Sequence, residues 1–145
     1  MPFPLIRVLL VDDDEDDYIF MRDLFSEIKG ESFWLDWVST YDKALAEMLQ
    51  KQHDVYLVDY RLGECSGLEL LKEAIGCNCD APMILLTGQG DHKIDVAAMQ
   101  AGAADYLLKG EMTALMLERT IRYAIQHAHT LKKLRLALRE KHQLA

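Results

Sequence analysis

The sequence predicts an α/β domain built as a doubly wound, five-stranded parallel sheet, (βα)5, with an extended C-terminal helix. Three observations predict it. Short apolar runs alternate with helical patterns five times along the 145 residues. Most of these runs are continuously apolar, as parallel strands covered on both faces require. Turn and capping residues stand at the junctions.

The strands are expected near 6–11, 33–38, 54–58, 82–87 and 104–108. After the first, Asp14-Glu15-Asp16-Asp17 places negative charge on an opening helical turn, where the macrodipole favours it, and Phe20, Met21, Leu24, Phe25 and Ile28 recur at helical spacing. Thr40 caps a second helix, with Ala44, Leu45, Met48 and Leu49 on one face. Ser66 caps a third, carrying Leu68, Leu71, Ala74 and Ile75. A smaller-sided stripe, Ile94, Ala97, Ala98 and Ala101, marks the fourth. Gly30 and Gly102 fall where helices one and four should stop.

Thr113 opens a fifth helix that does not stop. Leu117, Ile121, Ala124, Ala128, Leu131, Arg135 and Leu138 follow a 4-3 spacing, with Leu134 beside the seam and no Gly or Pro intervening. Some 33 residues would measure about 50 Å, against about 35 Å for the whole domain. The helix should project, and an exposed amphipathic helix commonly meets a parallel coiled-coil partner, a downstream module or a target protein. The plainer alternative is a frayed tail.

Half the residues are apolar, 28% are charged and three are proline, a globular composition for one domain. No apolar run approaches the ~20 residues that span a bilayer, and Met1-Pro2-Phe3-Pro4 lacks the layout of a signal peptide. A soluble cytoplasmic protein is therefore expected, with no membrane partner. Cys65, Cys77 and Cys79 are too few and too unevenly placed for a disulfide framework or a zinc site, and read as free thiols in surface turns. Residues 1–126 carry 11 Lys and Arg against 23 Asp and Glu, whereas residues 127–145 carry five basic residues against Glu140. The acidic body argues against direct nucleic-acid binding.

Right-handed crossovers bring the strand C-termini to one edge, where open α/β sheets bind ligands. Val8-Leu9-Leu10-Val11 ends at Asp12-Asp13, and Val55-Tyr56-Leu57-Val58 ends at Asp59. Met83-Ile84-Leu85-Leu86 ends at Thr87-Gly88, and Asp105-Tyr106-Leu107-Leu108 at Lys109-Gly110. Carboxylates gathered there repel one another, and a hard divalent cation such as Mg²⁺ relieves them. Lys109 and Thr87 suit a phosphoryl group, and one carboxylate can act as the nucleophile that forms an acyl phosphate. Taken singly, Thr87 is a turn residue and Lys109 a surface lysine; with Asp12, Asp13 and Asp59 they converge, whereas Tyr106, an aromatic on the last strand, reads by itself as simple packing. Asp14 to Asp17 read as a solvated helix start. An EF-hand is excluded, because the sixth and twelfth positions from Asp12 are Asp17 and Asp23. His53, His92, His127, His129 and His142 sit in polar stretches and are expected to face solvent. Trp34 and Trp37 read as edge-strand packing.

Val11-Asp12-Asp13, Leu57-Val58-Asp59, Leu86-Thr87-Gly88 and Tyr106-Leu107-Leu108-Lys109, in this order and spacing, resemble the receiver domain of bacterial response regulators over residues ~5–127. The resemblance implies a flavodoxin-like fold with strand order 2-1-3-4-5 and phosphorylation of Asp59 by a sensor histidine kinase or histidine phosphotransfer protein, with Mg²⁺ required. It assigns Asp13 and Asp59 as metal ligands together with the Arg61 backbone carbonyl, and Asp12 through metal-bound water. Thr87 and Lys109 would contact the phosphoryl group, and Tyr106 matches a rotameric switch that turns inward when Thr87 moves. Arg61 and Gln89 match positions that tune the lifetime of the phosphoryl group.

Two places depart from the family pattern. Gly110 follows Lys109 where the family has a cis-joined proline; since a non-proline cis bond costs roughly 2.5–4 kcal/mol, a trans bond or a Gly-permitted distortion is expected. The loop after Asp59 has Gly63 near another usual proline.

The expected function is a signalling phosphoacceptor that catalyses its own phosphotransfer and dephosphorylation. A receiver at 1–127 would signal through its helix 4–strand 5–helix 5 surface, followed by a helical linker or coiled-coil tail at 128–145. Its partners would be the kinase or phosphotransfer protein, an output domain or protein, and a second copy through that surface and the long helix. No helix-turn-helix, cyclase or kinase pattern follows in the chain as given. Thr87-Gly88-Gln89-Gly90-Asp91 and Ala101-Gly102-Ala103-Ala104-Asp105-Tyr106 resemble receivers joined to sensor kinases or cyclic-di-GMP enzymes, so both a linker within a longer parent and a stand-alone regulator fit. The alternatives are a phosphorylation-independent receiver-fold dimerisation scaffold and a flavodoxin-type or haloacid-dehalogenase-type enzyme. An acidic first strand end disfavours FMN, and Asp59-Tyr60-Arg61 lacks a dehalogenase's second aspartate.

Overall fold

Along each central strand, successive apolar side chains point to opposite faces, and the chain supplies helices to cover both. The structure, a computed structural model, describes residues 5–29, 32–88 and 92–144. Its elements are β1 (Leu5–Val11), α1 (Glu15–Glu27), β2 (Ser32–Val38), α2 (Tyr41–Leu49), β3 (Val55–Asp59), a hairpin of β4 (Arg61–Leu62) and β5 (Cys65–Ser66), α3 (Gly67–Gly76), β6 (Met83–Thr87), α4 (His92–Ala101), β7 (Asp105–Leu108), a 3-10 turn (Lys109–Glu111) and α5 (Ala114–Leu144). The main sheet is parallel, in the order β2-β1-β3-β6-β7. Counting the strands of that sheet alone, this is the expected 2-1-3-4-5.

Leu9, Val11, Tyr56, Val58, Met83 and Leu85 pack on one face with Ala44 and Met48 of α2, Leu70, Leu71 and Ala74 of α3, and Ala98 of α4. Val8, Leu10, Val55, Leu57, Ile84 and Leu86 pack on the other with Met21 and Leu24 of α1 and with Leu117, Ile121 and Ala124 of α5. The crossover through α1 lies on one face and those through α2, α3 and α4 on the other. The winding therefore reverses between β1 and β3, and that crevice opens at their C-terminal ends.

The capping residues act as their types suggest. Asp14 Oδ1 accepts from the Asp16 N–H at 2.9 Å, Thr40 Oγ1 from Lys43 at 3.3 Å, Ser66 Oγ from Glu69 at 3.2 Å and Thr113 Oγ1 from Met116 at 3.2 Å. Helix α4 ends at Gly102, whose φ of +105° few other residues adopt. Helix α1 ends earlier than expected, at Glu27 with Ile28 as its cap, and Gly30 lies outside the described residues.

Several expectations are corrected. Phe20, Leu49 and Ile75 are exposed despite their helical spacing, whereas Leu70 is fully buried. His53 is buried, because its Nε2 meets Asp36 Oδ2 at 2.8 Å and its ring lies 6.0 Å from that of Tyr56. His127 and His129 are exposed; the side chains of Ile94, His92 and His142 lie outside the description. Cys79 is buried with its Sγ toward the Met48 carbonyl, while Cys65 and Cys77 are exposed thiols. Trp34 is half exposed and donates from Nε1 to Asp36 Oδ1.

Helix α5 runs unbroken for 31 residues, about 46 Å at 1.5 Å per residue. Its first part is held by Leu117, Ile121 and Ala124, whereas every residue from His129 to Lys141 is exposed. The exposed part includes Leu131, Leu134, Leu136 and Leu138. Among the described residues, no helix is long and apolar enough to cross a membrane.

Candidate functional site

Asp12 and Asp59 sit at the ends of adjacent strands, β1 and β3, whose register pairs Val11 with Val58. Asp12 is fully buried. Its Oδ1 accepts from the Asp14 N–H at 3.0 Å, and its backbone oxygen accepts from Trp37 Nε1 at 2.8 Å. Trp37 is itself stacked on Tyr18, with centroids 4.6 Å apart and planes 7° from parallel. Expected only to pack, Trp37 thus fixes the main chain at Asp12. Asp59 is held from the other side by Gly67, where an added Cβ would stand 2.2 Å from the Asp59 carbonyl oxygen. The Gly67 N–H donates to the Tyr60 carbonyl at 2.7 Å, closing the hairpin against the strand end.

Lys109 reaches this pair from the start of the 3-10 turn that follows β7, across the sheet. Its Nζ lies 2.9 Å from Asp12 Oδ2, 3.0 Å from Asp59 Oδ2 and 2.6 Å from Asp17 Oδ2. The Lys109–Gly110 bond is trans, no cis bond occurring among the described residues, so Gly110 in place of proline leaves Lys109 within reach of both acids. Asp17, read from sequence as part of a solvated helix start, belongs to the site. The oxygens of Asp12, Asp17 and Asp59 lie within 4.8 Å of one another, and the ammonium bridges them. Asp13 faces the hairpin instead, where its Oδ2 accepts from the Gly63 N–H at 3.1 Å. Gly63 has a φ of +62° at the hairpin turn, a conformation that suits glycine.

Burial pushes the Asp12 carboxyl up to about 7; the Asp59 charge adds to the rise, while the Asp14 N–H and Lys109 oppose it. Burial also raises Asp59, against the opposing hydrogen bond and charge of Lys109, and the Asp13 charge adds to the rise. Burial works against the Lys109 charge, but its bonds to Asp17, Asp12 and Asp59 outweigh it and hold the ammonium above its ordinary range. The site therefore carries more negative charge than Lys109 balances, the condition in which oxygen donors favour a hard divalent cation.

Thr87 ends β6, next to β3 in the sheet, and is paired in register with Leu108. Its Oγ1 is buried and, among the described residues, has no hydrogen-bond partner. A buried hydroxyl without a partner is costly, and at this edge it is free to donate to an incoming oxygen. Arg61 opens β4, its side chain exposed and its N–H 3.5 Å from Asp59 Oδ1. Tyr106 is half-buried against the α2–α4 face. Gln89 lies outside the described residues. The sequence reading missed Asp17, Trp37 and Gly67; for Asp17, its one-turn distance along α1 from the strand end was the only available signal.

The model of the family described as response regulator receiver domain matches residues 8–121. The chain belongs to that family. Among curated relatives, the C4-dicarboxylate transport transcriptional regulatory protein DctD of Pseudomonas aeruginosa is 32% identical over 141 residues, covering 95% of this chain and 30% of that protein. The transcriptional regulatory protein ZraR of Escherichia coli is 28% identical over 126 residues, covering 87% of this chain and 28% of that protein. The chain spans less than a third of the length of these relatives. A response regulator receiver domain protein from Clostridium thermocellum superposes with a TM-score of 0.73 at 28% identity, covering 87% of this chain and 98% of that one. A CheY-like receiver from Methanospirillum hungatei JF-1 shares the fold at a TM-score of 0.74 and 24% identity, covering 88% and 98%.

Proposed function

We propose that this receiver is a phosphorylation-controlled switch, acting in the cytoplasm, in which Asp59 accepts a phosphoryl group from a sensor histidine kinase or histidine phosphotransfer protein. The observation that carries the reading is the 3.0 Å contact between Lys109 Nζ and Asp59 Oδ2. It puts a cation on the one buried strand-end carboxylate that lies between Asp12 and Thr87 in the sheet.

Asp59 attacks phosphorus through a carboxylate oxygen. The P–N bond of the donor phosphohistidine breaks as the Asp59 O–P bond forms, and the imidazole leaves neutral, with its other nitrogen protonated. Lys109 balances charge on the transferred group, and the unpartnered Thr87 hydroxyl donates to one of its oxygens. Asp13, Asp59 and the Arg61 carbonyl, with Asp12 acting through water, would hold Mg²⁺. This all-oxygen set suits that ion, which when bound supplies charge neutralisation. Thr87 moving toward the phosphoryl group would let Tyr106 turn inward, changing the surface of α4, β7 and α5 seen by an output domain, a partner protein or a second copy. Arg61 and Gln89 tune water attack on the adduct. Residues 1–127 act as the receiver and 128–145 as its helical extension, with no direct nucleic-acid or membrane contact.

The test is incubation with Mg²⁺ and acetyl phosphate. Wild type should gain hydroxylamine-labile phosphate and Asp59→Asn should not. If wild type gains none, or Asp59→Asn gains as much, the reading fails, and the dimerisation scaffold carried by the exposed leucines of α5 takes its place.

A further inference from the structure

Lys109 Nζ meets three carboxylates: it donates to Asp12 and Asp17 and forms an ion pair with Asp59. Asp12 and Asp59 are strand-end acids, and their contacts at 2.9 and 3.0 Å lie within the sheet edge. The third and shortest contact, 2.6 Å, goes to Asp17 on the first turn of α1. Asp17 differs from the other two. Its side chain is about one-third exposed, against 0% for Asp12 and 10% for Asp59. It also lies outside the ligand set of the proposed function.

We infer that Asp17 is a positioning residue that anchors the Lys109 ammonium to α1 and so weakens the hold of this receiver on a phosphoryl group at Asp59. The inference rests on the phosphoacceptor reading and deepens it. A phosphoryl group on Asp59 brings about two negative charges to the place where Asp59 Oδ2 now meets Lys109. Asp17 opposes this in two ways. Its own charge lies within 4.8 Å of the Asp59 oxygen and repels the phosphoryl oxygens. Its short hydrogen bond also keeps one ammonium donor and holds Lys109 toward α1. Asn at this position keeps the shape of the side chain and removes both effects: the charge is gone, and a neutral amide oxygen accepts more weakly than a carboxylate.

The expected sign makes the idea testable, because damage to the fold would lower affinity for a phosphoryl mimic, not raise it. The probe is beryllofluoride at saturating Mg²⁺, titrated into the full chain and followed by intrinsic fluorescence or calorimetry. Asp17→Asn should bind about tenfold tighter than wild type, the scale of one partly solvated unit charge about 5 Å away. Asp17→Glu, which restores the charge one methylene further out, should return most of the way to wild type. Asp59→Asn should bind none. If wild type binds beryllofluoride and Asp17→Asn binds equally or more weakly, the role assigned to Asp17 is overturned while the phosphoacceptor reading stands. If wild type binds none, the phosphoacceptor reading itself fails, and this inference with it.

Discussion

Asp12 has every polar atom of its main-chain carbonyl and carboxylate engaged: Trp37 on the backbone oxygen, the Asp14 N–H on Oδ1 and Lys109 on Oδ2. Burial nevertheless dominates and lifts its carboxyl from 3.8 to about 7, and Asp59 moves in the same direction. Between these limits the folded chain holds more protons than the unfolded one, so these groups make stability fall as pH rises. In the absence of divalent cations, the melting temperature should decline from pH 5 to pH 8, and Asp12→Asn should flatten that decline; an unchanged slope would show that Asp12 ionises freely. The strand-end residues were legible because a carboxylate closing an apolar run has few explanations. Asp17 was not, since an acid in a first helical turn already has a sufficient local reason, and its contact with Lys109 spans 92 positions. His53 was misread for a similar reason: its neighbours are polar, but its Asp36 partner is on β2, 17 positions away.

At the level of elements, the boundaries followed local chemistry closely, because Thr40, Ser66 and Thr113 each cap a helix that their own sequence opens. The hairpin between β3 and α3 was not foreseen. Its strands are two residues each, too short for any periodicity. Its consequence centres on Gly67, whose α position faces the Asp59 main chain. Gly67→Ala would drive a methyl group to within 2.2 Å of the Asp59 carbonyl oxygen and 3.0 Å of Val58 Cγ1. Overpacking of this kind costs about 1–3 kcal/mol, and here the strain falls on the phosphoacceptor strand. Urea denaturation should show that loss, together with reduced labelling by acetyl phosphate. Gly76→Ala, on the same helix with open space around it, should leave labelling unchanged.

At the scale of the molecule, the long final helix was legible from an unbroken seam without Gly or Pro, and its apolar spacing continues past the last buried turn. Leu131, Leu134 and Leu138 carry the seam onto solvent. If they meet a second copy, wild type should show a concentration-dependent dimer by sedimentation, and Leu134→Glu with Leu138→Glu should yield a monomer. The stability of the body should change by less than about 0.5 kcal/mol, as for exposed positions generally. A monomeric wild type would assign the seam to another partner. The division of α5 into a seated half and a free half also has a mechanical meaning. The segment 129–144 is an arm of about 24 Å beyond the packed turn of Ile121, Ala124 and Ile125, so a turn of about 5° at its own base sweeps the tip through about 2 Å. A repacking too small to notice inside the receiver would arrive at the far end as a displacement large enough to break one set of side-chain contacts and make another.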